Sequence, residues 1–136
     1  MLIDASFVDV LCDDSDERHE AAAGAFEGLL TEYERGTTLL YSHGGVVAEV
    51  GARRRAELLA VCHVVRRRRW LTREAQRVRR RHPTIGDDRA ATLVLMRRWG
   101  IGEIASFDPF LVEHGIPTIP IPIVTAGCVA TAKLSP

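Results

Sequence analysis

Apolar positions recur along most of this chain at helical spacing, interrupted by short segments that lack it. Ala22, Ala25, Phe26, Leu29 and Leu30 fall on one side of a helix that begins near Asp16, and Gly36 ends it. Residues 5–12 fit an earlier helix, closed by the polar turn Asp13-Asp14-Ser15. Val46, Val47 and Val50 predict a helix that carries Glu49, with Ser42 as its N-cap. Leu58, Leu59, Cys62 and Val65 share one face of a further helical stretch. Thr72 and Glu74 open another, with Leu71, Ala75 and Val78 inward, Arg73, Arg77, Arg80 and Arg81 outward, and His82-Pro83 as its stop. Gly86-Asp87-Asp88 leads into an apolar helix over 89–99, closed by Gly100.

Between these helices, residues 1–3, 37–41, 101–106 and 116–124 read as strands, the last with prolines that suit an edge. Strands alternating with helices need crossover connections and hence a parallel sheet, so the fold class is α/β. No repeat or linker breaks the chain. One domain over 1–136 is expected, with its core at about 1–124 and a tail at 125–136. Ligand sites in such sheets lie beyond the carboxyl ends of the strands.

Composition narrows the classes. The 136 residues are 46% hydrophobic, enough for one real core and against general disorder. An acid follows three residues after the start, so no signal peptide is read there, and no apolar run is long enough to span a bilayer. A cytoplasmic location is expected. Cys12, Cys62 and Cys128 are far apart, and the five histidines are scattered without zinc-ligand spacing. The cysteines read as small buried hydrophobes.

The net charge is zero but unevenly spread. Residues 1–50 carry two arginines against eleven acids; residues 51–98 carry fifteen arginines against four acids. A fold built this way can present an acidic site beside a basic surface. Arg53–55, Arg66–69 and Arg79–81 form dense clusters. They read either as a phosphate-binding flank or as solvated helix faces, and Trp70 either as a base-stacking ring or as a packing residue.

The candidate chemistry lies in acids at the ends of elements. Asp4 follows the first strand and Asp108 the third; Asp87 and Asp88 precede an apolar helix; Glu49 interrupts an apolar stretch. Singly, each has a plainer role: Asp4 and Asp87 or Asp88 as helix caps, Asp108 as a turn before Pro109, Glu49 as an exposed acid. As a set, a parallel sheet can bring them to one edge. Two carboxylates about 4 Å apart repel by roughly 4 kcal/mol at an effective dielectric near 20, so the set calls for a cation. Oxygen donors without clustered His or Cys select hard Mg²⁺ or Mn²⁺, which suits phosphodiester hydrolysis.

These residues carry a family resemblance. Leu2-Ile3-Asp4-Ala5-Ser6-Phe7 resembles the opening of PIN domains, residues 46–50 the family's helix with a single acid, residues 90–101 its late helix, and Ser106-Phe107-Asp108 the segment supplying its last acid. The match runs in family order from residue 1 to about 116. It implies a PIN-like three-layer α/β/α sandwich around a mostly parallel sheet of four to five strands. It also implies a Mg²⁺- or Mn²⁺-dependent endoribonuclease similar to VapC-like toxins, with an RNA substrate, a small antitoxin partner and a homodimer. Asp4, Glu49, Asp88 and Asp108 would be the catalytic and metal-binding set, with Asp87 substituting for Asp88. Ser6 and Ser106 would support them, and Arg53, Arg69, Arg73 and Arg77 would hold RNA. One departure stands out: Arg89 occupies the place of the family's third acid. It motivates the alternative of a degenerate domain that binds RNA or a protein without cutting.

Overall fold

The computed structural model describes residues 1–43 and 52–120, the side chains of 52–54 and 57 excepted. The expected helix around Glu49, the side chain of Arg53, the strand beyond 120 and the tail at 125–136 lie outside the described residues. In chain order the elements are β1 (Leu2–Ile3), α1 (Ala5–Leu11), α2 (His19–Glu34), β2 (Tyr41–His43), α3 (Ala52–Val61), β3 (His63–Val65), α4 (Arg69–Arg81), α5 (Asp87–Trp99), β4 (Ile104–Ala105), α6 (Pro109–Glu113) and β5 (Thr118–Ile119).

The five strands form one sheet in the order β3-β2-β1-β4-β5, and every pairing is parallel. β1 lies at the centre; the chain winds outward through β2 and β3, then returns to lay β4 on the other side of β1. This doubly wound order creates a switch point between β1 and β4, where loops leave in opposite directions and open a crevice.

The strands are too short to show alternation, yet they bury both faces. Ile3 and Ala105 pack on one side with Phe7, Val8, Val10, Ala22, Leu29 and Leu58, from α1, α2 and α3. Leu2 and Ile104 pack on the other with Leu71, Ala91, Val94, Leu95 and Leu111, from α4, α5 and α6. Adjacent strand residues point to opposite faces, so each two-residue strand serves both layers. The result is a three-layer α/β/α sandwich.

Three expectations need correction. The stretch through Val65 is not one helix: it ends at Val61, and His63–Val65 forms the edge strand, its His63 amide bonded to the Leu40 carbonyl at 2.7 Å. The β-branched pair Val64-Val65 suits that pleated position better than a helix. The second strand lies at Tyr41–His43 rather than 37–41, and Ser42 sits inside it, fully buried, its hydroxyl donating to the Ile3 carbonyl at 3.4 Å. The helix expected to follow it lies outside the described residues. The helices α4 and α5 also begin earlier than the spacing implied, at Arg69 and Asp87.

Candidate active site

Asp4 leaves the end of β1 at the N-cap position of α1, but its side chain makes no capping bond. Its Oδ2 instead accepts from the hydroxyls of Ser6 and Ser106, each at 2.8 Å. Those hydroxyls are themselves held. The Phe107 amide donates to Ser6 Oγ at 2.9 Å, and the Asp108 amide donates to Ser106 Oγ at 3.0 Å. Two serines 100 positions apart therefore tie the loop after β1 to the loop after β4, at the switch point. The Asp4 amide adds a bond to the Ala105 carbonyl at 3.0 Å.

Asp108 caps α6, its Oδ1 accepting from the Phe110 amide at 3.1 Å. Its carboxylate is also gripped by Arg89 through two parallel bonds, Nε to Oδ2 at 2.6 Å and Nη2 to Oδ1 at 2.8 Å. The Asp108 side chain is only 11% exposed, while that of Arg89 is 42% exposed. Bidentate pairing of this kind combines charge with fixed geometry. The Arg89 guanidinium lies 4.9 Å from the centre of the Phe110 ring. Its hydrogen bonds to Asp108, then the Asp108 and Asp4 charges, raise the Arg89 pKa against the opposing effect of burial.

Asp87 and Asp88 form the first turn of α5, whose N-cap is Gly86; neither aspartate is the cap. Asp87 turns outward, 2.8 Å from Arg67 and 3.8 Å from Arg79. As a substitute for Asp88 it is therefore already engaged by arginines. Asp88 is half-buried and stands one helical turn before Thr92, on the same face. Thr92 Oγ1 meets His43 Nε2 at 2.9 Å.

His43 was not singled out by the sequence, and it belongs to this region. It ends β2 on the same sheet edge as Asp4 and is 2% exposed. Burial lowers its pKa, and the negative charges of Asp88 and Asp4 oppose that shift. Its position at the carboxyl end of a parallel strand was the available signal, hidden because that strand was placed too early.

The structure thus joins Asp4, Ser6, Ser106 and Asp108 directly, with Arg89 inserted on Asp108, and sets Asp88 and His43 beside them. Glu49 lies outside the described residues. The all-oxygen donor chemistry suits a hard divalent cation. Among the described residues no three acids, histidines or cysteines are grouped to hold a metal, and Asp108 is paired with Arg89.

The arginine-rich helix α4 keeps Arg69, Arg73 and Arg77 exposed, while Leu71 and Ala75 are fully buried. Arg67, Arg68, Arg69, Thr72, Arg73 and Gln76 line an open groove on this side. Trp70 packs against the core, and its ring is covered by the Arg98 guanidinium at 4.7 Å. The ring is a packing residue rather than an open stacking platform. Among the described residues no helix is long and apolar enough to cross a membrane.

No family model matches the chain, and no curated protein matches it in sequence. Among solved structures it is similar to Mycobacterium tuberculosis VapC20, described as a sarcin-ricin loop cleaving toxin. The TM-score is 0.66 and the identity 20%, over 85% of this chain and 95% of that one. At this identity the likeness speaks for the fold alone, a PIN-like α/β/α sandwich.

Proposed function

We propose that this chain is an endoribonuclease, the toxin of a VapBC-like toxin–antitoxin pair, acting at the crevice between β1 and β4. The observation that carries this reading is the junction of Asp4 and Asp108 through Ser106 at the switch point of a VapC-like fold. Asp4 would be the principal catalytic carboxylate, oriented by Ser6 and Ser106. Asp88, Asp108 and Glu49 would complete the acid set. Mg²⁺ or Mn²⁺ is the cofactor we propose on donor chemistry, and when bound it would supply an activated water and neutralise charge on the phosphoryl group.

The exposed arginines Arg69, Arg73 and Arg77 would track the RNA backbone, with the substrate read by its charge. A small antitoxin protein, a homodimer and a cytoplasmic setting go with the same reading.

One observation favours a second reading. The bidentate Arg89–Asp108 pair neutralises an acid that catalysis would use, as a domain that binds RNA or a protein without cutting would allow. The test is RNA hydrolysis with Mg²⁺ or Mn²⁺ by the wild type and Asp4→Asn, with thermal midpoints measured alongside. The nuclease reading expects cleavage by the wild type and its loss, by about a hundredfold or more, in a folded Asp4→Asn protein. Equal rates in the two proteins end it.

A further inference from the structure

The acid site already contains a cation, and it belongs to the chain itself. Arg89 lies on α5 and Asp108 on the loop after β4; the pair joins the two walls of the crevice. Both carboxylate oxygens of Asp108 are engaged by the guanidinium, at 2.6 and 2.8 Å. Phe110 secures the arrangement from two sides. Its amide bonds Asp108 Oδ1 at 3.1 Å, and its ring lies 4.9 Å from the Arg89 guanidinium carbon. The ring is in turn stacked on His114, with centroids 4.0 Å apart. The fork is therefore built into the site and is no loose surface contact.

We propose that Arg89 is an internal latch that competes with a divalent cation for Asp108, so that metal enters only when the guanidinium leaves. The proposal rests on the acid site described above for its location, and it stands whether or not that site cuts RNA. The guanidinium fork takes one lone pair on each Asp108 oxygen, the Phe110 amide takes another on Oδ1, and the fork sets a positive charge where a second cation would bind. A metal that takes both oxygens of Asp108 in the fork's place would break two charge-assisted hydrogen bonds and the contact with the Phe110 face. The partial exposure of Arg89 gives it somewhere to go, because its head can reach solvent while its stem stays packed. The latch would also explain how the apo site tolerates neighbouring acids, since Arg89 supplies the counter-charge that the ion would otherwise supply.

The test is calorimetric titration of Mn²⁺ into metal-free wild type, Arg89→Gln, Phe110→Leu and Arg67→Gln. Arg89→Gln should bind Mn²⁺ at least tenfold more tightly than wild type. Phe110→Leu, which keeps every charge, should bind more tightly by a smaller factor. Arg67→Gln removes a cation paired with Asp87 instead of Asp108, and should leave the affinity within twofold. A second readout guards against misfolding. Without metal, Arg89→Gln should melt below wild type, and saturating Mn²⁺ should raise its midpoint by more than it raises that of wild type. Equal Mn²⁺ affinity for Arg89→Gln and wild type overturns the latch, as does an equal gain in Arg67→Gln, which would mean long-range charge alone. Tighter Mn²⁺ binding by Arg89→Gln with no RNA cleavage by either protein would keep the latch and remove the nuclease reading.

Discussion

The hydroxyls of Ser6 and Ser106 lie 3.1 Å apart, and both reach the same oxygen of Asp4. Two hydroxyl protons cannot fill all three sides of that triangle. Backbone amides from 107 and 108 each take one lone pair of a serine oxygen, and the charged carboxylate is a stronger acceptor than the other hydroxyl, which favours turning both protons toward Asp4. The arrangement runs from amide to hydroxyl to carboxylate, so the loop after β4 orients an acid after β1.

Ser106 is the more demanding of the two. It is 2% exposed, donates to Asp4 and accepts the Asp108 amide. Ser106→Ala should leave that amide without its partner and cost about 1–3 kcal/mol of stability. Ser6→Ala, at a half-buried position, should cost less. Urea unfolding of both variants checks this. A loss below about 0.5 kcal/mol for Ser106→Ala would show that the network contributes little to the fold. If the nuclease reading holds, both variants should also cleave RNA more slowly, because Asp4 loses an orienting donor.

The layered architecture was legible because the long helices advertise it. Leu71, Ala75 and Val78 recur at three and four residues, and Gly100 adopts the left-handed conformation expected of a helix stop. The short strands were harder. β1 and β4 contain two residues each and bury both faces, so their sequences carry no period to read. β3 was hidden because Leu58, Cys62 and Val65 fit a helical face, although the chain turns at Cys62 and only then extends. His43 went unseen for a related reason: Thr37-Thr38-Leu39-Leu40 looks more strand-like than Tyr41-Ser42-His43, yet tertiary pairing with β1 and β3 selects the latter. The positions of Asp4 and Asp108 at strand ends were readable. The Arg89 fork depends on the rotation of α5, which spacing alone leaves open.

Gly86 sets that rotation. Its φ of 84° and ψ of 159° lie in a region essentially reserved for glycine, immediately before Asp87 and Asp88. Gly86→Ala should cost about 1–3 kcal/mol, although no neighbour blocks the added methyl group. A thermal midpoint equal to that of wild type would show that another backbone geometry serves as well. The same variant should shift the start of α5, so the Arg67–Asp87 ion pair is the contact to inspect in a structure of it.

The salt dependence of RNA binding separates a basic track from decorative charge. Arg69, Arg73 and Arg77 are exposed on α4. Each arginine that contacts a phosphate should contribute roughly 0.7–0.9 to the slope of log affinity against log salt. Arg73→Ala and Arg77→Ala should each lower single-stranded RNA affinity and flatten that slope by about that amount, without moving the thermal midpoint. Unchanged slopes would make the arginines a solvated helix face.

The last prediction concerns pH. His43 is buried, and burial lowers its pKa below the usual 6.5, against the pull of Asp88 and Asp4 and with a smaller push in the same direction from Arg67. In the unfolded chain the same imidazole takes up a proton near pH 6.5. Between its lowered folded value and that point the unfolded state binds more protons, so stability rises with pH through the window and levels off above it. Acidification from pH 7 toward pH 5 should therefore weaken the wild type, in addition to any effect of its carboxylates. His43→Gln can keep a hydrogen bond to Thr92 without titrating, and its stability should fall less over the same interval. Urea midpoints at half-unit steps from pH 5 to pH 7.5 measure the difference. Parallel curves for the two proteins would mean that the proton on His43 is not what couples this end of the sheet to pH.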